Sequence, residues 1–399
     1  MNVSELGNKQ IAVLLSGGVD SSVAVYELAR QGLRPDCFYI KIGASPNSSK
    51  GAEGEWDCSM EEDLEMATAV AHKYGCRLEV VDCHHEYWEQ VTRYTMEKVG
   101  AGLTPNPDVM CNRLIKFGAF HEKCGHAYDL IATGHYAQKE HLSPTPCDGA
   151  AGAASSPEGT GGMFWLCTSP DPVKDQTDFL AQIYGWQLKK ALFPIGQYMK
   201  DEVRQIAERE HLVSAHRRDS QGICFLGKIN YNEYVRRYLG EQPGDVIELE
   251  SGHRIGLHRG LWFHTIGQRK GMGLSGGPWF VVKKDVAHNV LYVSHGYDPA
   301  TAYKQHFPIH DFHSINGQLP PERVTLKIRH TPEYLPARLE LLPSTSSSAS
   351  APATVASSAI GPSYMVHADA PIHGVAPGQF CVVYDECHHR CYGSGEITL

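Results

Sequence analysis

No apolar run in the 399 residues approaches the roughly 20 that a membrane-spanning helix needs. The first ten residues, MNVSELGNKQ, contain neither an h-region nor an Arg-rich amphipathic leader, and the chain reads as cytoplasmic. The 12 cysteines include no C-x-x-C pair, which argues against the clustered thiolates of an iron–sulfur centre. They are scattered along a chain without a secretory signal, so reduced thiols are the default. Cys387-His388-His389-Arg390-Cys391 is C-x3-C with no second pair of suitable spacing; it reads as a histidine-rich turn, and no metal ligand is assigned. Basic excess is also missing, since the net charge is −9. That charge is unevenly spread. From Lys228 to Glu340 there are 14 Lys and Arg against 11 Asp and Glu, leaving 22 against 34 elsewhere. An acidic first half and a mildly basic later half fit an RNA ligand, though weakly. With 20% charged and 42% apolar residues, the composition is that of a globular protein of two or three domains.

Ile11–Leu15 is an unbroken apolar run that ends at Ser16-Gly17-Gly18-Val19-Asp20-Ser21, after which Ser22–Arg30 reads as a helix. A buried parallel strand looks like such a run, and a Gly-Gly break before a helix start is the βα turn of a nucleotide-binding sheet. Two glycines let main-chain N–H groups turn inward, Ser16 and Ser21 add hydroxyl donors, and the helix presents its positive end. Together they make an anion cradle sized for a phosphate. The plainer alternative is a tight strand–helix turn with Asp20 as N-cap. No Gly-Lys-Ser/Thr follows, so the turn is not a Walker loop, nor is it G-x-G-x-x-G.

Further strands are expected at Asp36–Ile42, Arg77–Asp82 and Tyr128–Thr133. Helices are expected from a capping box at Ser59 and Glu62 to Tyr74, over His84–Lys98, over Asn112–Lys123 and over Lys200–Glu210. Strands alternating with helices at this spacing predict a doubly wound parallel α/β sheet, with ligands at the carboxyl ends of its strands. Beyond Cys224 short alternating runs (Trp279–Lys283, Val290–Ser294, Arg323–Arg329, Gln379–Tyr384) predict a small mixed domain and then a β-barrel. The expected domains are 1–222, 223–298 and 299–399. Two stretches rich in Ser, Ala, Gly and Pro, about 142–162 and 343–362, read as exposed insertions.

Two cysteines stand in suggestive settings. TPNPDVMCNRLIKF (104–117) is a loop stiffened by Pro105 and Pro107 that delivers Asp108 and Cys111 just before a helix expected to open at Asn112. A thiol near a helix N-terminus is biased towards thiolate, with a carboxylate nearby as base. Cys224 follows a flexible Gly222 in DSQGICFL. A buried core cysteine is the ordinary fate of either.

The cradle resembles the PP-loop of the ATP pyrophosphatase superfamily, whose members cleave ATP between the α- and β-phosphates to activate a carbonyl oxygen. SGGVDSS, NPDVMCNRLIKF, ATGHYA, KDQTDFL, DSQGICFLG and HTIGQRKGMG, in this order and spacing, resemble the tRNA-specific 2-thiouridylases, from about Lys9 to about Thr398 apart from the two insertions. The resemblance implies ATP as co-substrate with Mg²⁺, tRNA as partner, and a sulfur-relay protein that donates a persulfide. It implies AMP transfer to the C2 oxygen of the wobble uridine, then sulfur transfer. Cys224 would carry the persulfide, Cys111 would act as the nucleophile that helps release its sulfur, and a Cys111–Cys224 disulfide would remain. Asp108, with Asn106 and Pro107 in the target-base segment, would be the acid/base. Leu14, Leu15, Ser16, Gly17, Gly18, Val19, Asp20, Ser21, Ile40 and Gly134 would contact the nucleotide. Lys174, Asp175, Gln176, Arg329 and His330 would contact tRNA. Asp178 stands where the family usually has an aromatic residue, and His330 is also atypical. Gln268, Arg269 and Lys270 form a glycine-bracketed turn that would touch phosphate or merely be solvated. Three other readings remain: another PP-loop carbonyl adenylator, of amidotransferase or argininosuccinate-synthase type, which needs no paired cysteines; an iron–sulfur RNA thiolase; and a non-catalytic tRNA-binding protein.

Overall fold

A computed structural model describes residues 6–42, 53–142, 162–218, 231–296, 300–343 and 361–398, with the backbone alone at 53–59 and 301. Four parallel strands come first: β1 (Ile11–Leu14), β2 (Asp36–Lys41), β3 (Leu78–Asp82) and β4 (Leu130–Ala132). A hairpin follows, β5 (Gln138–Leu142) and β6 (Met163–Cys167), then the two-residue β7 (Ala191–Leu192). The first sheet has the order β3-β2-β1-β4-β7, every pair parallel. Its middle strand is covered on both faces. Ala12 and Leu14 enter one core with Phe38 and Ile115, while Ile11, Val13 and Leu15 enter another with Val25 and Leu28. Side chains alternate across a strand, so burial on both sides requires an unbroken apolar run.

The helix Glu53–Lys73 begins six residues before the expected capping box, and the side chain of Ser59 lies outside the described residues. A larger correction concerns residues 107–123. The helix opens at Pro107 with Asn106 as its N-cap, whose side chain accepts from the N–H groups of Asp108 (3.2 Å) and Val109 (3.3 Å). Proline at the first helical position lacks only an N–H that has no intrahelical partner, so the sequence Asn-Pro-Asp is a start signal read five residues too late. A π-helical stretch, Asn112–Ala119, continues it, and Gln187 donates to the carbonyls of Arg113 (2.8 Å) and Phe117 (3.0 Å).

The middle of the chain forms β8 (Gly244–Glu248), β9 (Arg254–His258), β10 (Trp279–Asp285) and β11 (Val290–His295), a four-stranded sheet over a small core of Val246, Leu261, Val281, Leu291 and Val293. Then come β12 (Tyr303–Ser314), β13 (Arg323–Lys327), β14 (Leu335–Leu341), β15 (Tyr364–His373), β16 (Phe380–Tyr384) and β17 (Arg390–Ile397). Because β12 pairs with both β15 and β17, these six close into a barrel. The β5–β6 hairpin adds to this sheet through β17, so residues from the nucleotide-binding part of the chain extend the barrel wall. Most of the two expected insertions, 143–161 and 344–360, lies outside the described residues; the hairpin was not expected, because its first strand, QKEHL, is polar and half-exposed.

A second seam is buried. Lys327 Nζ lies 3.4 Å from Asp175 Oδ2, with both side chains 1% exposed. Asp175 also accepts from Thr177 Oγ1 (2.7 Å), Tyr334 (3.3 Å) and the Ser169 N–H (2.9 Å), and Lys327 sits 4.2 Å from the centre of the Tyr334 ring. Breaking such a pair by removing one partner costs about 3–5 kcal/mol, because a bare charge is left in low dielectric. The barrel is thereby locked to residues 169–178.

Candidate active site

The turn after β1 is braced from within. Ser21 Oγ accepts from the Ser16 N–H (3.2 Å), lies 3.1 Å from Ser16 Oγ and donates to the Gly18 carbonyl (3.1 Å). Ser22 Oγ donates to the same carbonyl at 2.8 Å. The two serines expected as anion donors are therefore engaged with the loop itself. Gly18, not Asp20, is the N-cap of the helix Val19–Arg30, and Asp20 lies in its first turn. Gly17 has φ +76°, and a Cβ there would strike the carbonyl oxygen of Asp63. Leu14, Leu15 and Val19 are buried, so they can serve a nucleotide only through main-chain groups.

β1 and β4 adjoin in the sheet, and a Cβ on Gly134 would sit 2.7 Å from the N of Ser21. The loop after β4 thus backs directly onto the helix start, which places the cradle at the carboxyl ends of the two central strands. Ile40, at the end of β2, packs on the core that contains Leu14 and Cys111.

Asp20 has two partners that sequence reasoning missed. Tyr136 OH donates to its Oδ1 at 2.8 Å, and Lys200 Nζ at 2.7 Å. Arg217 donates to the Gly17 carbonyl (3.3 Å) and pairs with Asp63, whose carboxyl burial pushes up despite that guanidinium. ATGHYA and the charged helix at Lys200 were both visible in the sequence, but no spacing tied them to Asp20.

Cys111 is 3% exposed and lies five residues into its helix, packed with Leu14, Phe38 and Ile115. The N-terminal activation expected from a helix opening at Asn112 therefore falls instead on Asp108, in the first turn. Asp108 and Cys111 are three apart on that helix and share a face. The helix is bolted to residues 179–187: Asn112 Nδ2 donates to the Phe179 carbonyl (3.0 Å), and Arg113 to Gln182 (2.7 Å) and to Tyr184. Cys224 lies outside the described residues. No disulfide joins the cysteines within them.

The segments expected to contact tRNA, 174–176 and 329–330, adjoin one seam through Lys327–Asp175 and His330–Asp178. Lys174 and Gln176 are half-buried at the seam, while the Asp175 carboxylate is turned wholly inward and has no face left for RNA. The Arg329 guanidinium also turns inward, donating to the carbonyls of Ile266 (3.4 Å) and Gly374, and it braces the middle domain against the barrel. The two atypical residues prove to be partners. His330 Nδ1 lies 3.1 Å from Asp178 Oδ2, and the His330 ring is 4.7 Å from Phe179.

The hydrogen bond to Asp178 pushes the His330 pKa up, against burial. A raised folded-state pKa contributes stability that is complete below the unfolded value of about 6.5 and is lost as pH rises through the folded one. Asp178→Asn is expected to lower the His330 pKa in an NMR titration and to remove that stability at acid pH. An unchanged titration would show the pair to be incidental.

The Gln268 side chain closes its own turn, accepting from the Thr265 N–H (2.9 Å) and donating to the Lys270 carbonyl (2.8 Å), which leaves Arg269 and Lys270 exposed. Beside it a cavity of about 220 Å³ is lined by Thr104, Tyr231, Phe263 and His264 among others, so the TPNPDVMC and HTIGQRK segments border one space. In the histidine-rich turn, His389, Glu140 and Cys167 place ligand atoms within 4.8 Å of one another. His389 Nε2 lies 2.7 Å from Glu140 Oε1 and Arg390 takes Oε2 at 3.4 Å, so the carboxylate is balanced by the protein's own groups.

A parallel sheet with a Ser-Gly-Gly-x-Asp-Ser cradle at its central strand ends defines a PP-loop, ATP-using enzyme. Residues 9–228 match the family described as tRNA methyl transferase HUP domain, 232–295 the tRNA methyl transferase PRC-barrel domain, and 346–397 the aminomethyltransferase beta-barrel domain. The chain is 53% identical to the tRNA-specific 2-thiouridylase MnmA 2 of Bacteroides fragilis (strain YCH46), over 97% of this chain and 99% of that protein. It is 50% identical to MnmA of Parabacteroides distasonis, over 97% and 98%. Against MnmA of Porphyromonas gingivalis (strain W83) the identity is 49%, over 97% and 99%. The domain descriptions speak of methyl transfer, but full-length likeness at this identity decides the matter: the chain belongs to the tRNA-specific 2-thiouridylase family. Among the described residues no helix is long and apolar enough to cross a membrane.

Proposed function

We propose that this protein replaces the C2 oxygen of the tRNA wobble uridine by sulfur in two stages. The observation that carries the reading is that the cradle strand and Cys111 share one packed core, Leu14 and Cys111 both belonging to it. An adenylating pocket and a thiol-bearing helix are thus held by one rigid body.

In the first stage the uridine C2 oxygen attacks the α-phosphorus of ATP, forming an O–AMP bond and releasing pyrophosphate. The glycine turn supplies N–H groups to the phosphates, and the helix start favours their charge. Asp20 uses Oδ1 for both Tyr136 and Lys200, which leaves Oδ2 without a partner among the described residues. That oxygen and the phosphates of ATP form a hard-oxygen set that suits Mg²⁺. The ion would neutralise phosphate charge and so favour the departure of pyrophosphate.

In the second stage a persulfide on Cys224, loaded by a sulfur-relay protein, delivers its terminal sulfur to C2. Cys111 attacks the sulfur that remains, closing a Cys111–Cys224 disulfide, and AMP leaves with the former C2 oxygen. Two electrons from a reductant reset the thiols, as a cytoplasmic setting would supply. Asp108 accepts and returns protons at the target base. Lys174, Gln176 and His330 face the RNA, and taking the base out of the anticodon stack explains the need for several domains.

The test is in vitro thiolation of an unmodified tRNA with ATP and a sulfide source, read by nucleoside mass spectrometry. Thiouridine that depends on ATP is the expected product. AMP released onto a different carbonyl acceptor, with no thiouridine formed, would favour the amidotransferase-type adenylator instead.

A further inference from the structure

We infer that the loop Asp171–Gln176 couples tRNA docking to the ATP cradle, with Tyr136 and Lys200 as the positioning residues that transmit it. The inference rests on the reading above that Lys174 and Gln176 face RNA. Its basis is a pair of parallel connections that converge on one carboxylate oxygen. Asp20 Oδ1 receives Tyr136 OH at 2.8 Å and Lys200 Nζ at 2.7 Å.

Each donor is also gripped, through its main chain, by the same loop. The Tyr136 N–H donates to Gln176 Oε1 at 3.0 Å, and the Gln176 N–H donates back to the Tyr136 carbonyl at 2.8 Å. The Lys200 N–H donates to Asp171 Oδ2 at 2.8 Å, while Asp171 Oδ1 accepts from the N–H groups of Val173 and Lys174, each at 3.0 Å. Tyr136, Asp171 and Lys200 are all buried, at 1%, 5% and 7% exposure. Four stretches of chain far apart in sequence therefore form one closed ring: cradle, Tyr136, loop, Lys200 and cradle again.

The other side of the loop is fixed to the barrel by Asp175 and Lys327. With Asp171 bonded to the Lys200 N–H and Gln176 to both main-chain groups of Tyr136, a shift of the loop at Lys174 is passed to Tyr136 and Lys200. A hydrogen bond to a charged group is strong enough to transmit a several-fold change in affinity. The chemistry gives this a purpose, since ATP cleaved with no uridine oxygen in place is wasted. The cradle is best completed when tRNA has settled the loop. Such a coupling is reciprocal: whatever tRNA does to nucleotide affinity, the nucleotide does to tRNA affinity.

The experiment uses the full chain, an unmodified tRNA, and α,β-methylene-ATP with Mg²⁺, which binds without being cleaved. The affinity of each ligand is measured with and without the other saturating. For wild type the ratio is expected to be about 5-fold or more and equal in both directions. In Tyr136→Phe, which cuts one of the two connections and leaves that through Lys200, it should fall by about half or more. Asp171→Asn, which keeps the loop's shape but removes one charged acceptor, should lower it too and serves if Tyr136→Phe fails to fold. A merely structural defect weakens each ligand equally with or without its partner and leaves the ratio unmoved. A wild-type ratio of 1, or a wild-type ratio retained in both variants, would overturn the proposal. Lys174→Ala separates it from its premise: if tRNA binds that variant as it binds wild type, the RNA-facing assignment fails, whatever the ratios show.

Discussion

Cys111→Ala is expected to lower thiouridine formation by at least about 10³-fold, the scale on which loss of a nucleophile acts. AMP formation and tRNA affinity should stay within about twofold of wild type, because Cys111 meets the cradle strand only as a small member of the core that holds Leu14, and removing its sulfur leaves the Asp20 carboxylate and its bonds to Tyr136 and Lys200 in place. Stability should change little. The sulfur is replaced by space in a core that also contains Leu14, Phe38 and Ile115, and loss of one buried heavy atom costs about 1 kcal/mol. The substitution separates the two meanings of a buried thiol. A core cysteine is indifferent to such a change apart from slight loosening, whereas a sulfur nucleophile is not. Wild-type thiouridine in the variant would return Cys111 to the core and leave Cys224 without a partner.

Asp20→Asn is expected to reduce ATP-dependent AMP formation by about 10²–10³-fold, the usual size of losing one preorganised electrostatic group. The amide keeps the shape but has a single acceptor. Lys200 Nζ, whose side chain is 9% exposed, would claim that oxygen and turn the NH₂ group towards the phosphates. A donor would then stand where the Mg²⁺–phosphate set needs an anion. Losing the charge also weakens the tie to Lys200 by about 1–3 kcal/mol, read as a lowered melting temperature that saturating ATP does not restore. AMP formation at the wild-type rate would remove Asp20 from the cradle.

Much of this was legible in the chain because it depends on neighbours in sequence. Ile11–Leu15 advertises a strand buried on both faces, and the glycines after it advertise a turn no other residues fill. Six ordered motifs pointed to the family before any geometry was known. What failed did so for definable reasons. Asn106-Pro107 is an unambiguous helix start, yet the two prolines read as a stiff loop, and the helix was begun at Asn112. Strand β5 lacks alternation because it is the edge of the barrel sheet, where burial imposes no period, and β6 beside it is a short apolar run with buried Trp165, Leu166 and Cys167. Arg329 and Asp175 were expected at RNA from the family resemblance alone; their side chains turn inward, to the Ile266 and Gly374 carbonyls and to Lys327. Asp178 and His330 each stood out as a departure, and neither position alone tells that the other compensates for it.

Local grammar by itself determined the sheet, the phosphate-binding turn, the β-rich later half and the family, since strand period, turn chemistry and motif order are written within spans of a few to a few dozen residues. Only the tertiary structure decided that Tyr136 and Lys200 meet on Asp20, that Lys327 locks the barrel to Asp175, and that Cys111 lies beneath the cradle strand. Those relations join positions from about a hundred to 180 residues apart, and what selects them is the need to pair every buried charge and fill every buried volume at once. That condition acts on the folded whole, and no window of sequence carries it.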